Sequence, residues 1–585
     1  MKSLYYLNKF LWKYQKLLII GAIFITIANL FALYPAEFVR EAFDAVIKNI
    51  KTEQETNSNI HNTLLFYGGL IILFAILKGV FMYFMRQTII VMSRKIECDL
   101  KNEIYQQYQS LSIAFYKKNK TGDLMNRISE DVSRVRMYLG PALMYAINIV
   151  ILFFLVISKM ISINTTLTSY VVLPLPILAI SVYLVSNRIN RKSEKVQEQL
   201  SNITTIAQET FSGVTIIKSF SNEKNVLNVF FNNCKQYTKR QLQLVKIEAL
   251  FFPLIITMIG ISTVLTIYIG GLESVKGNIS TGNIAEFIIY VNMLAWPVAS
   301  IGWVTSLVQR AAASQERINN FLLLKPDIQN NQNKQTPIDG DITFKEVSFT
   351  YSNTKIEALK NISFSIKSGK TLGIFGKTGS GKSTITNLIC RLYDTTQGSI
   401  TIGNTSLTEL NLNNLRTAIG YIPQDDYLFS GTIKENIAFS SNDEDEERII
   451  KAAKQANILK EINNFKDKFN TIIGERGVQL SGGQKQRLAI ARTFYKNPDL
   501  YILDDCLSAI DSNKEQKILT ELKKESKGKT SIIISHRVST LKDVEQIIVL
   551  ENGKITEIGS HNELLDNKRF YYQMHQIQSN KDKEN

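Results

Sequence analysis

The chain has 585 residues, 45% of them hydrophobic, with 68 Lys and Arg against 52 Asp and Glu and a formal net charge of +16. That length is too great for one core, so at least two domains are required. Four scattered cysteines (Cys98, Cys234, Cys390, Cys506) without a CxxC exclude a disulfide framework and a thiolate metal site, and basic cytoplasmic loops of a membrane protein explain the charge without a nucleic-acid partner.

The N-terminus, MKSLYYLNKFLWKYQK, interleaves Lys with aromatics and has no small-residue cleavage site. This predicts an interfacial helix at the membrane surface, retained in the mature protein. Six runs long enough to span a bilayer core follow, at Leu17–Tyr34, Leu64–Met92, Leu139–Ile157, Leu167–Val185, Ala249–Gly271 and Phe287–Val308. Connections two and four are basic, from Arg94 to Arg136 and from Arg188 to Lys246. The first, Glu41–Asn62, carries Lys48 and Lys51 against Glu41, Asp44, Glu53 and Glu55. Positive-inside logic places both termini and the two long connections in the cytoplasm, where the thiols stay free and reduced.

Both long connections are rich in helix formers, so the spanning helices are expected to continue past the lipid and reverse in short turns. Ala114–Ile128 (AFYKKNKTGDLMNRI) supplies one reversal and Thr205–Phe220 the other, near Gly213. In the second run, Lys78 and Arg86 fall roughly on one helical face beside FMYFM, Phe81–Met85. They are candidate contacts for an amphipathic substrate or anionic headgroup; for Arg86 a place at the cytoplasmic edge is favoured, and for Lys78 snorkelling or pairing with a backbone carbonyl fits equally. Pro174 and Pro176 are expected to bend the fourth span.

The membrane domain is thus expected over 1–324, an all-α six-helix unit, with a Pro/Asn-rich linker over 325–341. Alternation resumes in ITFKEVSFTY, with Ile342, Phe344, Val347 and Phe349 as the buried set. Short β runs then alternate with helical ones, which predicts an α/β domain over 342–572. NDEDEER, Asn442–Arg448, reads as a solvated helix start. The polar tail over 573–585 ends in QSNKDKEN, expected to be disordered.

Within the α/β domain, GxxxxGKS stands at Gly376–Ser383, between the β run TLGIF and the helical run TITNLIC. Glycines at Gly376, Gly379 and Gly381 let the amides of Lys377, Thr378, Ser380 and Thr384 converge on phosphate oxygens at a helix start. Lys382 would reach the terminal phosphates of ATP, and the Ser383 hydroxyl would ligate Mg²⁺. The apolar run ending at Asp504 and Asp505 supplies two carboxylates. The first would hold the metal through water, and the second faces the position of an attacking water.

LSGGQKQRLAIAR, Leu480–Arg492, resembles the signature of ABC transporters, and GERGVQ before it resembles the segment that precedes that signature. In that family Tyr351 stands where an aromatic stacks on adenine. Gln424 matches the glutamine that senses Mg²⁺, Ser508–Asp511 (SAID) the loop linking two sites, and His536 the γ-phosphate histidine. The six spans, TGDLMNRI and SQERI resemble the exporter branch. The resemblance implies an ATPase coupled to transport, acting as half of a dimer in a bacterial-type cytoplasmic membrane. Ser481, Gly482, Gly483 and Gln484 would face the partner's ATP. The cargo would be an amphipathic drug-like molecule or a lipid.

One departure stands out. Members competent in hydrolysis usually carry Glu where this chain has Asp505. A carboxylate withdrawn by about an ångström costs on the order of 100-fold in rate. ATP binding is therefore expected alongside slow turnover. A heterodimer with a Glu-bearing chain is favoured, with a slow homodimer as the alternative. A nucleotide-gated or regulatory subunit remains a further reading.

Overall fold

Unbroken apolar segments in lipid must satisfy every backbone amide internally, and helices do so. The computed structural model describes residues 2–51, 57–330, 337–441, 444–474, 477, 480–508 and 510–584. Glu53, Glu55, residues 331–336 of the linker, Asn442, Asp443, Ala509 and most of GERGVQ lie outside the described residues. Two compact units emerge, Met1–Gln109 with Gly122–Leu324, and Ser110–Thr121 with Lys325–Asn585.

In the first unit, six helices among the described residues are long and apolar enough to cross a membrane: Gln15–Ile50, Ile60–Ser110, Thr121–Ile163, Thr165–Ser212, Glu223–Val275 and Thr281–Leu322. Each expected run lies inside one of them. The second has 51 residues, roughly 75 Å of helix, more than twice a hydrocarbon core of about 30 Å. The long connections are therefore continuations of the spans. The first reversal contains a short helix, Ile113–Lys118, and Asn119 is extended after it. The second turns at Gly213, passes through a helix at Val214–Ser219, and turns again at Phe220–Asn222 before Glu223.

The fourth span is interrupted at Leu173, between Thr165–Val172 and Pro174–Ser212, next to the two prolines, and Leu173 itself keeps helical dihedrals. The third span widens into π-helical turns at Arg127–Asp131 and Tyr138–Ala142, which the sequence pattern did not signal. Pro141, which has no amide hydrogen to donate, sits in the second of these.

Polar residues tie the spans together. Glu286, fully buried, accepts hydrogen bonds from Tyr290 at 2.8 Å and Asn283 at 3.2 Å, and faces Arg40 Nη1 at 3.5 Å. Asp44 accepts from the Gly282 amide at 3.0 Å and the Ser280 hydroxyl at 2.7 Å. A Cβ on Gly282 would lie 2.5 Å from the Arg40 carbonyl, so only glycine permits this approach. The N-terminal segment is a 3-10 turn, Lys2–Leu7, and a helix, Asn8–Lys13. It is held to span two by Tyr6 on Glu103 at 2.9 Å and Lys13 on Asp99 at 2.6 Å.

The second unit contains strands β1 (Ile342–Thr350), β2 (Glu357–Ile366), β3 (Thr371–Gly376), β4 (Gln397–Ile402), β5 (Thr405–Ser406), β6 (Ile419–Ile422), β7 (Gly431–Thr432), β8 (Ile472–Ile473), β9 (Leu500–Asp504), β10 (Thr530–Ile534), β11 (Gln546–Glu551) and β12 (Lys554–Gly559). A four-stranded sheet runs β2-β1-β4-β5, and a six-stranded sheet runs β12-β11-β3-β10-β9-β6. The expected buried set of β1 is buried. Its switch from even to odd positions is made by a bulge between Phe344 and Val347, where Glu346 takes φ +49°.

Between β3, β9, β10, β11 and β6 every pairing is parallel, and such a sheet needs cover on both faces. One core packs Ile374, Ile502 and Ile532 with the four-stranded sheet, the other Leu503, Ile533 and Phe375 with the remaining helices. NDEDEER does start a helix, with Asp445 capping Glu446–Gln455. The tail differs from expectation: a helix spans Phe570–Glu584. Its apolar residues Phe570, Tyr571 and Met574 pack on the second core and carry the polar residues along.

Candidate active site

Ligands at parallel sheets gather outside the carboxyl ends of the strands, and here four neighbouring strands end together. Ile534 of β10 pairs with Ile374 of β3 and with Asp504 of β9, and Leu503 pairs with Ile422 of β6. The phosphate loop therefore follows β3, His536 follows β10, Asp505 follows β9 and Gln424 follows β6. Four separate sequence segments reach one edge by register alone.

The loop after β3 needs its glycines. Gly376 has φ +154° and a Cβ there would lie 2.4 Å from the Leu550 carbonyl. Gly381 has φ +103° and would meet the Ala358 carbonyl at 2.4 Å. The helix Lys382–Ile389 starts directly after Gly381. Lys382 is buried and donates to the carbonyls of Gly376 and Lys377, both at 2.9 Å. Burial lowers its pKa while Asp505 and Asp504 oppose that shift. The ammonium is thus held against the carbonyls of its own loop.

Asp504, also buried, accepts from the Ser383 hydroxyl at 3.0 Å through Oδ1 and from the Tyr421 hydroxyl at 3.4 Å through Oδ2. Burial raises its pKa, and the Ser383 bond works against that. Asp505 adopts φ +48°, in the left-handed region that short polar side chains tolerate best. Its amide donates to the Ile534 carbonyl at 3.0 Å, and its Oδ2 lies 4.0 Å from His536 Nε2. Burial, then the Lys382 charge, lower the His536 pKa below its usual 6.5, so the imidazole is neutral at pH 7.

Around this centre stand Tyr421, Arg537 and Lys117, which the motifs did not signal, and Tyr351, which the family resemblance did. Tyr421 reaches Asp504 from three positions before the exposed Gln424. Arg537 donates to Glu515 at 2.5 Å and to the Ser508 carbonyl at 3.1 Å, tying the histidine loop to SAID. Tyr351 places its hydroxyl 3.1 Å from that of Thr384 and its ring edge-on to Phe349 and Tyr393, at 4.8 and 5.4 Å. Lys117 Nζ lies 5.6 Å from the Tyr351 ring centre and 5.7 Å from that of Tyr393. Their partners are distant in sequence, so spacing carries no trace of them.

Ser481 caps the helix Gly482–Lys496. Its hydroxyl accepts from the Gln484 amide at 3.4 Å, while the Gln484 side chain takes the Ser481 amide at 2.9 Å. Ser481 and Gly482 are exposed, and the Gln484 side chain is spent on the cap. Lys78 is half-buried and Arg86 exposed on span two. The rings of Phe74, Phe81 and Phe84 beside them meet Phe24, Phe31, Tyr34 and Phe38 of span one at 4.8 to 6.0 Å.

Comparison with known proteins follows this division. Residues 18–298 match a family model described as the ABC transporter transmembrane region, and residues 359–508 one described as ABC transporter. A probable multidrug resistance ABC transporter ATP-binding/permease protein of Bacillus subtilis is 31% identical over 96% of this chain and 94% of its own. An ATP-dependent lipid A-core flippase of Syntrophus aciditrophicus is 33% identical, covering 88% of this chain and 85% of its own. In fold, the chain is similar to a bacterial Atm1-family ABC exporter solved with ATP bound. The TM-score is 0.79 at 24% identity, over 96% of this chain and 99% of that one.

Proposed function

This chain belongs to the ABC transporters, and from that premise we propose that it is one half of a dimeric exporter moving an amphipathic drug-like molecule or lipid across the cytoplasmic membrane. It is a multi-pass membrane protein and an ATPase whose hydrolysis is coupled to transport. The observation that carries the proposal is the convergence of Lys382, Ser383, Asp504, Asp505 and His536 at one sheet edge in a chain with six spans.

Each residue has a part in that reading. The phosphate-loop amides and Lys382 bind the ATP phosphates, and Tyr351 stacks on the base. The Ser383 hydroxyl and Asp504 carboxylate, 3.0 Å apart, form a hard-oxygen pair that fits Mg²⁺, with Gln424 as a further donor. Bound there, Mg²⁺ offsets charge on the transferred phosphate. Asp505 orients and deprotonates the attacking water, and neutral His536 donates to the γ-phosphate. The exposed Ser481 and Gly482, at the start of a 15-residue helix, offer amides to the partner's nucleotide. Phe211, Ile216 and Phe220, all exposed at the second reversal, suit docking on the partner's ATP-binding domain.

Asp505 supports pairing with a second, Glu-bearing half-transporter. Its amide is fixed on Ile534, so the backbone does not advance to replace the missing methylene. A homodimer with slow turnover is the second reading, favoured by the 4.0 Å approach of Asp505 to His536. The test is ATP-dependent uptake of fluorescent amphiphiles and labelled lipid into inside-out vesicles carrying the chain, with and without a candidate partner. Export predicts uptake that Lys382→Ala abolishes. Nucleotide-gated leakage that runs equally in both directions would replace transport with the regulatory reading.

A further inference from the structure

The helix Phe570–Glu584 lays one face along the nucleotide site. Phe570, Tyr571, Met574, His575 and Gln578 recur at helical spacing on that face. At its start the Phe570 ring lies 4.9 Å from Lys377 Nζ of the phosphate loop, and Tyr571 packs edge-on against Phe375 at 5.3 Å. The Tyr571 hydroxyl meets His561 Nδ1 at 2.9 Å, and its amide donates to Glu557 at 3.2 Å. Two turns further on, Gln578 reaches the loop after β10. Its Nε2 donates to the His536 carbonyl at 2.8 Å, and its Oε1 accepts from the Val538 amide at 2.8 Å.

This is a two-point clamp on the backbone around the γ-phosphate histidine. A primary amide matches a carbonyl and an amide two residues apart, one donor to one acceptor each way. From the other side the loop is held by Arg537 on Glu515, at 2.5 Å, and Thr540 on Glu515, at 2.6 Å. Those two bonds fix residues 537 and 540. The His536 carbonyl is the point that Gln578 takes. The His536 side chain faces Asp505 and Lys382 and, among the described residues, makes no bond to the helix, so the clamp acts on where the ring stands.

We propose that Gln578 is a positioning residue for the nucleotide site, holding the His536–Val538 backbone so that the imidazole of His536 meets the γ-phosphate. The helix Phe570–Glu584 is then a strut running from the phosphate loop to the histidine loop. This rests on the assignment of His536 to the γ-phosphate made above. The consequence is selective: loss of the clamp weakens recognition of the third phosphate and spares the other two.

The test is equilibrium binding of Mg-ATP and Mg-ADP to the full chain in lipid nanodiscs, in an Asp505→Asn background that stops turnover. Gln578→Ala is expected to weaken ATP binding about tenfold, the value of two backbone hydrogen bonds, and to leave ADP binding within about twofold. The same loss is expected for Gln578→Met, which keeps the helix, and for Gln578→Glu, which cannot donate to the His536 carbonyl. A chain ending after Ser579 keeps ATP discrimination, and one ending after Ile577 loses it. In a His536→Ala background, Gln578→Ala adds nothing further, a non-additivity that a packing role would not produce. Equal losses for ATP and ADP, or no loss for either, overturn the clamp. A wild-type chain that binds neither nucleotide instead overturns the function proposed above.

Discussion

At Asp505 a single methylene sets the rate expected of the whole machine. The residue sits at φ +48° with its amide on the Ile534 carbonyl, so its carboxylate is placed by the side chain alone. Asp504 beside it is held by two hydroxyls and is the better-fixed acid. Removing one of them tests that support. Tyr421→Phe is expected to raise the Mg²⁺ concentration for half-maximal ATPase by up to about tenfold, the low end for an outer-shell partner, with ATP photolabelling retained. Lys382→Ala, in contrast, loses photolabelling outright. The phosphate loop, Asp504, Asp505, Gln424 and His536 were legible as candidates because each lies in a short local string, and the strand register brings those strings to one sheet edge. Tyr421, Arg537 and Gln578 were not: their partners stand 83, 22 and 42 residues away, joined only by the order of strands in the sheet.

Elements were legible where one period ran unbroken. The spanning helices follow from apolar length, and the break at Leu173 from Pro174 and Pro176. The bulge at Glu346 was implicit in the even-to-odd shift of the buried set, since period-two alternation does not change parity without an extra residue. The C-terminal helix departs from the disorder that polar QSNKDKEN implies, because its docking residues, Phe570, Tyr571 and Met574, lie upstream. A pH dependence belongs to this element. His561 is buried against Tyr571, with His575, Lys542 and Asp543 facing it. Burial first, then His575 and Lys542, hold its pKa below 6.5, against Asp543. The unfolded chain therefore takes up the proton first, and stability is lost as pH falls below about 6.5. Proteolysis of the helix should accelerate from pH 8 to pH 5.5 in wild type and change less in His561→Gln.

Across the membrane unit, a few buried polar contacts join elements far apart in the chain. Glu286 of the last span faces Arg40 of the first, and leaving a buried carboxylate without its cation costs about 3 kcal/mol. Arg40→Met should lower the thermal midpoint in detergent, and Arg40→Met with Glu286→Gln should recover most of it. Both charges were visible in the sequence, near the ends of two spans, but 246 residues separate them. For the molecule as a whole, the function proposed above has this chain bind nucleotide while a shortened base makes its turnover depend on the partner opposite. ATP hydrolysis by the chain purified alone in lipid, compared with Asp505→Glu, tests this most directly. Slow wild-type turnover, raised by Glu by about 10- to 100-fold, is expected; brisk wild-type turnover that Glu leaves unchanged would rule out a shortened base at this site.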